Sequence, residues 1–195
     1  MKYSVSLFLA FIIASLISTT FGADKKKSGE VAMMSPMKAE IASKDGADFE
    51  AAYLGMMILH HKNGLPMWAL VPEKGTNPEL KAMEKKTTPK EQAEIEEMTG
   101  WLKQWHNKSP QDFKEPAASM QKKEKDMSEL KGTIGKQFDV MFAKMMAHHH
   151  MGAIEMAKLA LEKAEHAEVK AAAKMIIKSQ TEDRQTLLTI SEHKK

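Results

Sequence analysis

Two short segments of the sequence combine methionine and histidine in the same spacing. Each reads Met-Met-x-x-His-His, with a further Met seven residues after the first histidine. The chain has no cysteine, so thioether sulfur and imidazole nitrogen are its soft donors. Thioethers form no disulfides and can therefore serve as ligands where thiols would be oxidised. The pattern indicates a site for a soft metal ion.

The candidate ligands are the methionines and histidines of these two segments. They are Met56, Met57, His60, His61 and Met67 in the first segment, and Met145, Met146, His148, His149, His150 and Met156 in the second. Residues four apart are neighbours on a helix, so each Met of a pair can share an ion with the His four residues later. A helical wheel places His60 and His149 at the centre of apolar faces.

Core packing is the alternative interpretation, because methionine commonly fills irregular gaps between helices. Two buried imidazoles without partners would, however, destabilise a bundle, and a metal ion would satisfy them. Imidazole and thioether donors together suit Cu(I) and Ag(I). Zinc stays open as a less favoured ion, since the four paired histidines could hold it. A di-iron bundle requires Glu-x-x-His motifs, and the chain contains none.

The two segments belong to an internal repeat. Residues 49–70 align with residues 138–159 without a gap, and seven of the 22 positions are identical. Five of these seven are Met or His. A duplicated helical hairpin predicts an all-α fold, a four-helix bundle with extra short helices. Its parts are repeat 1 (48–108), a connecting segment (109–133) and repeat 2 (134–193).

Periodicity and capping residues predict where the helices lie. The predicted ranges are 48–71, 78–86, 89–107, 117–130, 134–163 and 167–192. Gly64 and Pro66 are expected to kink the first of these helices. A break before residue 89 is expected because Thr88, Pro89 and Glu91 together have the pattern of a capped helix start.

The N-terminal residues predict export. Residues 1–22 have the charge and apolar core of a signal peptide, and no later segment resembles a stop-transfer sequence. Cleavage would leave a periplasmic or secreted protein without a membrane span. Residues 23–47 are predicted to be a flexible lead-in, whose Met33, Met34 and Met37 are either compositional bias or a loose thioether hook.

Composition and isolated residues complete the prediction. Acidic and basic residues alternate, the net charge is +3 and aromatic residues make up 6% of the chain, so a nucleic-acid partner is not expected. Gln180 could orient a ligand imidazole. His106 is interpreted as a partner of a helix dipole, and His166 and His193 as surface residues.

The motif also extends beyond the histidines. After the first copy come Gln92, Glu94, Ile95, Met98, Trp101 and Leu102. Together with the duplicated Phe-x(6)-Met-Met-x-x-His-His, these residues resemble the family known as domain of unknown function 305, over most of residues 48–190. The resemblance implies a ferritin-like four-helix bundle and an exported protein, and some family members are periplasmic copper binders connected with copper resistance. Lys62, Asn63 and Pro66 depart from the usual residues after the histidines.

The leading hypothesis is an exported copper-binding protein that sequesters Cu(I) or Ag(I), or hands it to an efflux or delivery partner, and so contributes to metal resistance or homeostasis. An enzyme is not expected, because the sequence has no nucleophile–base arrangement and no phosphate-binding loop. Two alternatives stay open. One is a copper- or zinc-dependent enzyme of unknown substrate, and the other is a metal-free helical stress or scaffold protein.

Overall fold

The computed structural model describes residues 35–192. Its helices, in chain order, are α1 (Pro36–Ala42), α2 (Gly46–Trp68), α3 (Val71–Lys74), α4 (Pro78–His106), α5 (Ala117–Lys131), α6 (Gly135–Lys163) and α7 (Ala167–Glu192), with a 3-10 turn at Pro110–Asp112. Residues 35–192 contain no strand, and the predicted all-α fold class is confirmed. The predicted signal peptide, Met33, Met34 and His193 lie outside the described residues.

The four long helices α2, α4, α6 and α7 form the bundle. The chain returns from α2 to α4 and from α6 to α7, so each repeat is a hairpin, and α2 also packs against α6. These two central helices run antiparallel. Glu50, near the start of α2, accepts a hydrogen bond from the backbone N–H of Glu165, just beyond the end of α6. At the other end, the rings of Trp68 and Phe142 are 4.8 Å apart.

None of the helices between residues 35 and 192 is apolar over a length sufficient to cross a bilayer. The buried apolar residues instead form two clusters inside the bundle. The first, which we call the α1-side cluster, contains Met37, Ile41, Phe49 and Leu54 among others. The second, the α3-side cluster, is built around Trp68 and includes residues of α3, α4, α6 and α7.

Helix α1 corrects the prediction of a flexible lead-in for residues 35–47. The side chain of Ser35 accepts a hydrogen bond from the backbone N–H of Lys38, and Pro36 occupies the first turn, where a missing N–H is harmless. Met37 and Ile41 are four residues apart and both are buried. Burial of this pair against the bundle gives a short helix the stability that its sequence alone does not supply.

Helix α4 corrects a second prediction, because it runs unbroken through Pro89. The hydroxyl of Thr88 donates to the Glu84 carboxylate at 3.3 Å instead of capping a new helix. Leu80 before the proline and Leu102 after it are both buried, so packing holds the two halves in one helix despite the lost hydrogen bond. Helix α2 likewise continues through Gly64 and Pro66 to Trp68.

We predict that Pro89→Ala raises the free energy of unfolding by about 1–2 kcal/mol, because alanine restores an N–H donor and removes the clash with the preceding turn. Urea denaturation measures the change. Pro78→Ala is the matched control, since Pro78 is the first residue of α4 and should show no such gain. A Pro89→Ala variant no more stable than the wild type would contradict the prediction.

Candidate metal centre

The four paired histidines of the two repeats meet where α2 packs against α6. The ring centroids of His60 and His149 are 3.8 Å apart. His61 lies 6.2 Å from His60, and His150 lies 6.3 Å from His149. Two pairs of side chains separated by 89 residues in the sequence therefore form one cluster inside the bundle.

Two glycines allow this close approach. A Cβ atom on Gly64 of α2 would lie 3.0 Å from Cε1 of His149. A Cβ atom on Gly152 of α6 would lie 3.1 Å from Nε2 of His60. Each central imidazole thus packs against a glycine of the opposite helix, and a larger residue there would push the rings apart.

Most of the buried ring nitrogens have no protein partner. Nε2 of His60 donates to the backbone carbonyl of His149 at 3.1 Å, and Nε2 of His61 donates to the Glu94 carboxylate at 2.9 Å. Within residues 35–192, no hydrogen bond satisfies Nδ1 of His60 and His61 or either ring nitrogen of His149 and His150. Unsatisfied buried imidazoles are unfavourable, and a metal ion is the ligand that their donor atoms fit.

Burial also keeps these imidazoles uncharged. It lowers the pKa of His60 to about 3, with a further contribution from the neighbouring His61 and His150. Burial lowers the pKa of His150 to about 3 as well, and that of His149 well below its ordinary value. Neutral imidazoles present the lone pairs that a metal requires, so the cluster can accept an ion at neutral pH.

Two glutamates of α4 lie beside the histidine cluster, and motif reasoning did not predict this position for either. Glu94 accepts from His61 and lies 3.4 Å from Lys90. Burial would raise the pKa of Glu94, but its hydrogen bond with His61 and the nearby charges outweigh burial and lower it. A carboxylate that holds one ring nitrogen of a histidine fixes the ring and leaves the other nitrogen, here Nδ1 of His61, available to a ligand.

Glu91 is buried beside the same cluster. Its Oε1 accepts a hydrogen bond from the Gln180 amide at 3.3 Å, so Gln180 contacts a carboxylate and not an imidazole. No described residue bonds its Oε2, which lies 3.5 Å from the position of a Cβ atom on Gly64. Burial raises the pKa of Glu91 to about 7. Glu91 thus offers an oxygen donor next to the imidazoles, and the sequence signal at this position resembled a helix cap instead.

The candidate methionines divide between the two apolar clusters. Met56, Met57 and Met156 belong to the α1-side cluster. Met67 and Met146 belong to the α3-side cluster, and Met145 packs against it half-buried. The methionine that follows each histidine pair therefore shares a cluster with the Met-Met pair of the other repeat.

Three other histidines differ from the central four. His148 is exposed, away from the cluster formed by its neighbours. His166 was predicted to be a plain surface residue, but its ring donates to the buried Glu50 carboxylate. His106 lies at the end of α4 as expected and also donates to Glu50, at 3.1 Å. Long-range contacts to Glu50 explain why neighbouring residues did not reveal these roles.

The arrangement matches a known family. A model described as a domain of unknown function (DUF305) matches residues 16–102 and 50–191. The chain belongs to the DUF305 family. The duplicated Met and His motif on which the resemblance was based is the part of this DUF305 chain that forms the central cluster. Among curated proteins, none is detectably similar to it in sequence.

Solved structures share its fold. CopM in the Cu(II)-bound form superposes with a TM-score of 0.63 at 24% identity, covering 75% of this chain and 98% of CopM. CopM in the Cu(I)-bound form gives 0.61 at 24% identity, with 72% and 93% covered. A DUF305 protein from Streptomyces coelicolor, for which secretion has been suggested, gives 0.62 at 23% identity, with 71% and 89% covered. This DUF305 chain thus has the helical fold of these proteins.

The buried histidines predict acid lability of the metal-free protein. Folded His60 and His150 have pKa values of about 3, below the ordinary value of 6.5, so between these pH values the unfolded chain binds more protons. The free energy of unfolding should therefore decrease as the pH falls from 6.5 toward 3, by up to about 1.4 kcal/mol per pH unit for each histidine. Denaturation at a series of pH values measures this slope.

Two substitutions test the assignment of that slope. His150→Gln removes one buried titrating group and should make the dependence on pH shallower. His148→Gln changes an exposed neighbour and should leave it unaltered. Equal slopes for His150→Gln and the wild type would contradict the prediction.

Proposed function

We propose that this DUF305 protein binds copper between α2 and α6 and sequesters it or hands it on. The observation that carries the proposal is the set of buried, unsatisfied imidazole nitrogens contributed by both repeats. These belong to His60, His61, His149 and His150. A bundle that only needed a core would gain stability from apolar side chains at these positions, because each unsatisfied buried polar group is unfavourable.

The thioethers on either side of the histidines favour monovalent copper. Met56, Met57 and Met156 would supply sulfur on one side, and Met67, Met145 and Met146 on the other. Soft sulfur and imidazole donors suit Cu(I) and its heavier analogue Ag(I). CopM, which shares the fold, has been solved with Cu(I), with Cu(II) and with silver. These structures support copper as the ion of the DUF305 chain described here.

A divalent ion is the second candidate, and Glu91 is the observation that favours it. The unpartnered carboxylate oxygen is a hard donor, which Zn(II) or Cu(II) accepts more readily than Cu(I) does. A site with three protein ligands and an open position would also suit a metal-dependent enzyme. Titration with Cu(I) and Zn(II) in parallel compares a monovalent and a divalent ion at the same site.

We further propose that the protein acts after export, in the periplasm or outside the cell. The predicted signal peptide supports this location, and so does the suggestion of secretion for the related Streptomyces coelicolor protein. In an oxidising compartment, a chain without cysteine can bind copper without forming disulfides. A metal efflux or delivery protein would be the partner that receives the ion.

A titration with Cu(I) tests the central proposal. Purified protein is titrated without oxygen against a competing chromogenic chelator, and Zn(II) is titrated in parallel. We expect Cu(I) binding that withstands the chelator and that His60→Ala/His149→Ala reduces by at least about 100-fold, since two central donors are lost. His148→Ala is the matched control and should bind like the wild type.

Two outcomes of the same titration would contradict the Cu(I) proposal. Cu(I) binding no stronger than that of the chelator, or unchanged by His60→Ala/His149→Ala, would identify the cluster as core packing. Zn(II) bound more tightly than Cu(I), and lost in the Glu91→Gln variant, would support the divalent candidate instead. Circular dichroism of each variant verifies that the helices are retained.

Glu94→Gln tests how the ligand is oriented. Removal of the carboxylate should lower the metal affinity by roughly 10–100-fold, because His61 loses the acceptor that directs its Nδ1 toward the ion. Glu97→Gln, an exposed change on the same helix, is the control. An unaltered affinity in Glu94→Gln would mean that His61 does not coordinate the ion.

A further inference from the structure

We propose a second metal site, formed by Glu50, His106 and His166, which takes a divalent ion of the Cu(II) or Zn(II) class. One ligand atom from each residue lies within 4.8 Å of the other two. The residues come from three places in the fold: the start of α2, the end of α4 and the turn between α6 and α7. Their convergence is a product of the tertiary structure.

The Glu50 carboxylate is held in place by the backbone. Its Oε2 accepts hydrogen bonds from the N–H groups of Glu165 and His166, at 2.7 and 2.8 Å. Its Oε1 faces Nε2 of His106 at 3.1 Å and Nδ1 of His166 at 2.5 Å. One oxygen is therefore anchored, while the other lies between two imidazoles in a position to share an ion with them.

Burial makes hydrogen-bond donors or a cation necessary beside the charged Glu50. The side chain of Glu50 is fully buried, and a buried carboxylate needs hydrogen-bond donors, a positive charge or protonation. Its pKa is nevertheless lowered: burial would raise it, but the hydrogen bonds and charge of His166 and the Glu165 N–H outweigh burial. A metal dication between the three ligand atoms would place a positive charge beside this carboxylate.

The ligand set indicates the class of ion. Two imidazoles and one carboxylate, without any sulfur donor, suit borderline divalent ions, and Cu(II) binds such sites more tightly than Zn(II) does. Trp105 stacks on the His166 ring, with centroids 3.9 Å apart and planes 4° from parallel, which fixes the ring orientation. The His166 side chain is 36% exposed, so one of the three ligands lies at the protein surface.

Binding requires a rearrangement of protons. Nε2 of His106 and Nδ1 of His166 now donate to Glu50, so each must lose its proton before it can coordinate. In a neutral ring, the proton moves to the other nitrogen. In a charged ring, it is released to solvent, and metal uptake then becomes weaker as the pH falls.

The second site is separate from the centre between the repeats. Glu50 precedes His60 by ten residues in α2, which corresponds to about 15 Å along a helix. One site combines imidazole and thioether donors in the core, and the other combines imidazole and carboxylate near solvent. The two can therefore be removed independently, and failure of one proposal leaves the other intact.

The experiment uses the His60→Ala/His149→Ala variant, in which the first site lacks its two central imidazoles and the second site keeps both of its histidines. Co(II), Cu(II) and Zn(II) are added in turn, and the readouts are the Co(II) d–d absorption, the Cu(II) electron paramagnetic resonance spectrum and competition by Zn(II). We expect one equivalent of divalent ion, with nitrogen hyperfine structure from two imidazoles. Adding His106→Gln/His166→Gln should lower the affinity at least 100-fold, because glutamine can still donate to Glu50 but cannot replace imidazole.

A measurement on the wild type makes the test independent of variant folding. Zinc in excess of two equivalents should shift the imidazole ¹⁵N resonances of His106 and His166, while His148 stays unchanged. Three results would overturn the proposal: no stoichiometric ion in the His60→Ala/His149→Ala protein, unaltered affinity after the glutamine substitutions, or unshifted His106 and His166 resonances. Each would show that Glu50 joins three parts of the fold by hydrogen bonds only.

Discussion

The contact between α2 and α6 must accommodate four buried imidazoles. Aromatic rings with centroids 3.8 Å apart can occupy a helix–helix contact only where the facing residues are small, and Gly64 and Gly152 meet that requirement. Imidazoles in such a place lose water and stay neutral, so they need other partners. Helix α4 supplies carboxylates and α6 one carbonyl. The ring nitrogens without such a partner form the candidate metal centre.

The two repeats are related in sequence but supply different chemistry. The first contributes Glu91 and Glu94 from α4, whereas α7 of the second contributes Gln180 and Asp183 to the buried region. Glu91 and Gln180 are hydrogen bonded and are separated by the same 89 residues as the contacting His60 and His149. Residues 89 apart therefore still contact each other, but the acidic Glu91 of the first repeat faces the neutral Gln180 of the second. The carboxylate that is hydrogen bonded to an imidazole of the cluster, Glu94, lies in the first repeat.

Two kinds of environment separate the candidate sites. At the centre, burial keeps the histidines uncharged. Methionines of the α1-side and α3-side clusters lie on the same helices before and after them, and such thioethers favour a soft ion. At the end of the bundle, a buried carboxylate keeps its charge because backbone N–H groups and imidazoles surround it. The same residue types, His and Glu, thus acquire different metal preferences according to burial and to the presence of sulfur.

The sequence by itself determined the helical class, the duplicated hairpin and the paired histidines, because the 3.6-residue period and the repeat are local patterns. Only the tertiary structure decided which side chains meet. Glu94 reaches His61 across 33 residues and His166 reaches Glu50 across 116, separations at which sequence spacing carries no geometric information. Packing also outweighed local sequence preferences at two places. Met37 and Ile41 stabilise a short helix in the predicted lead-in. Pro89 lies inside a helix because buried residues on both sides of it hold that helix together.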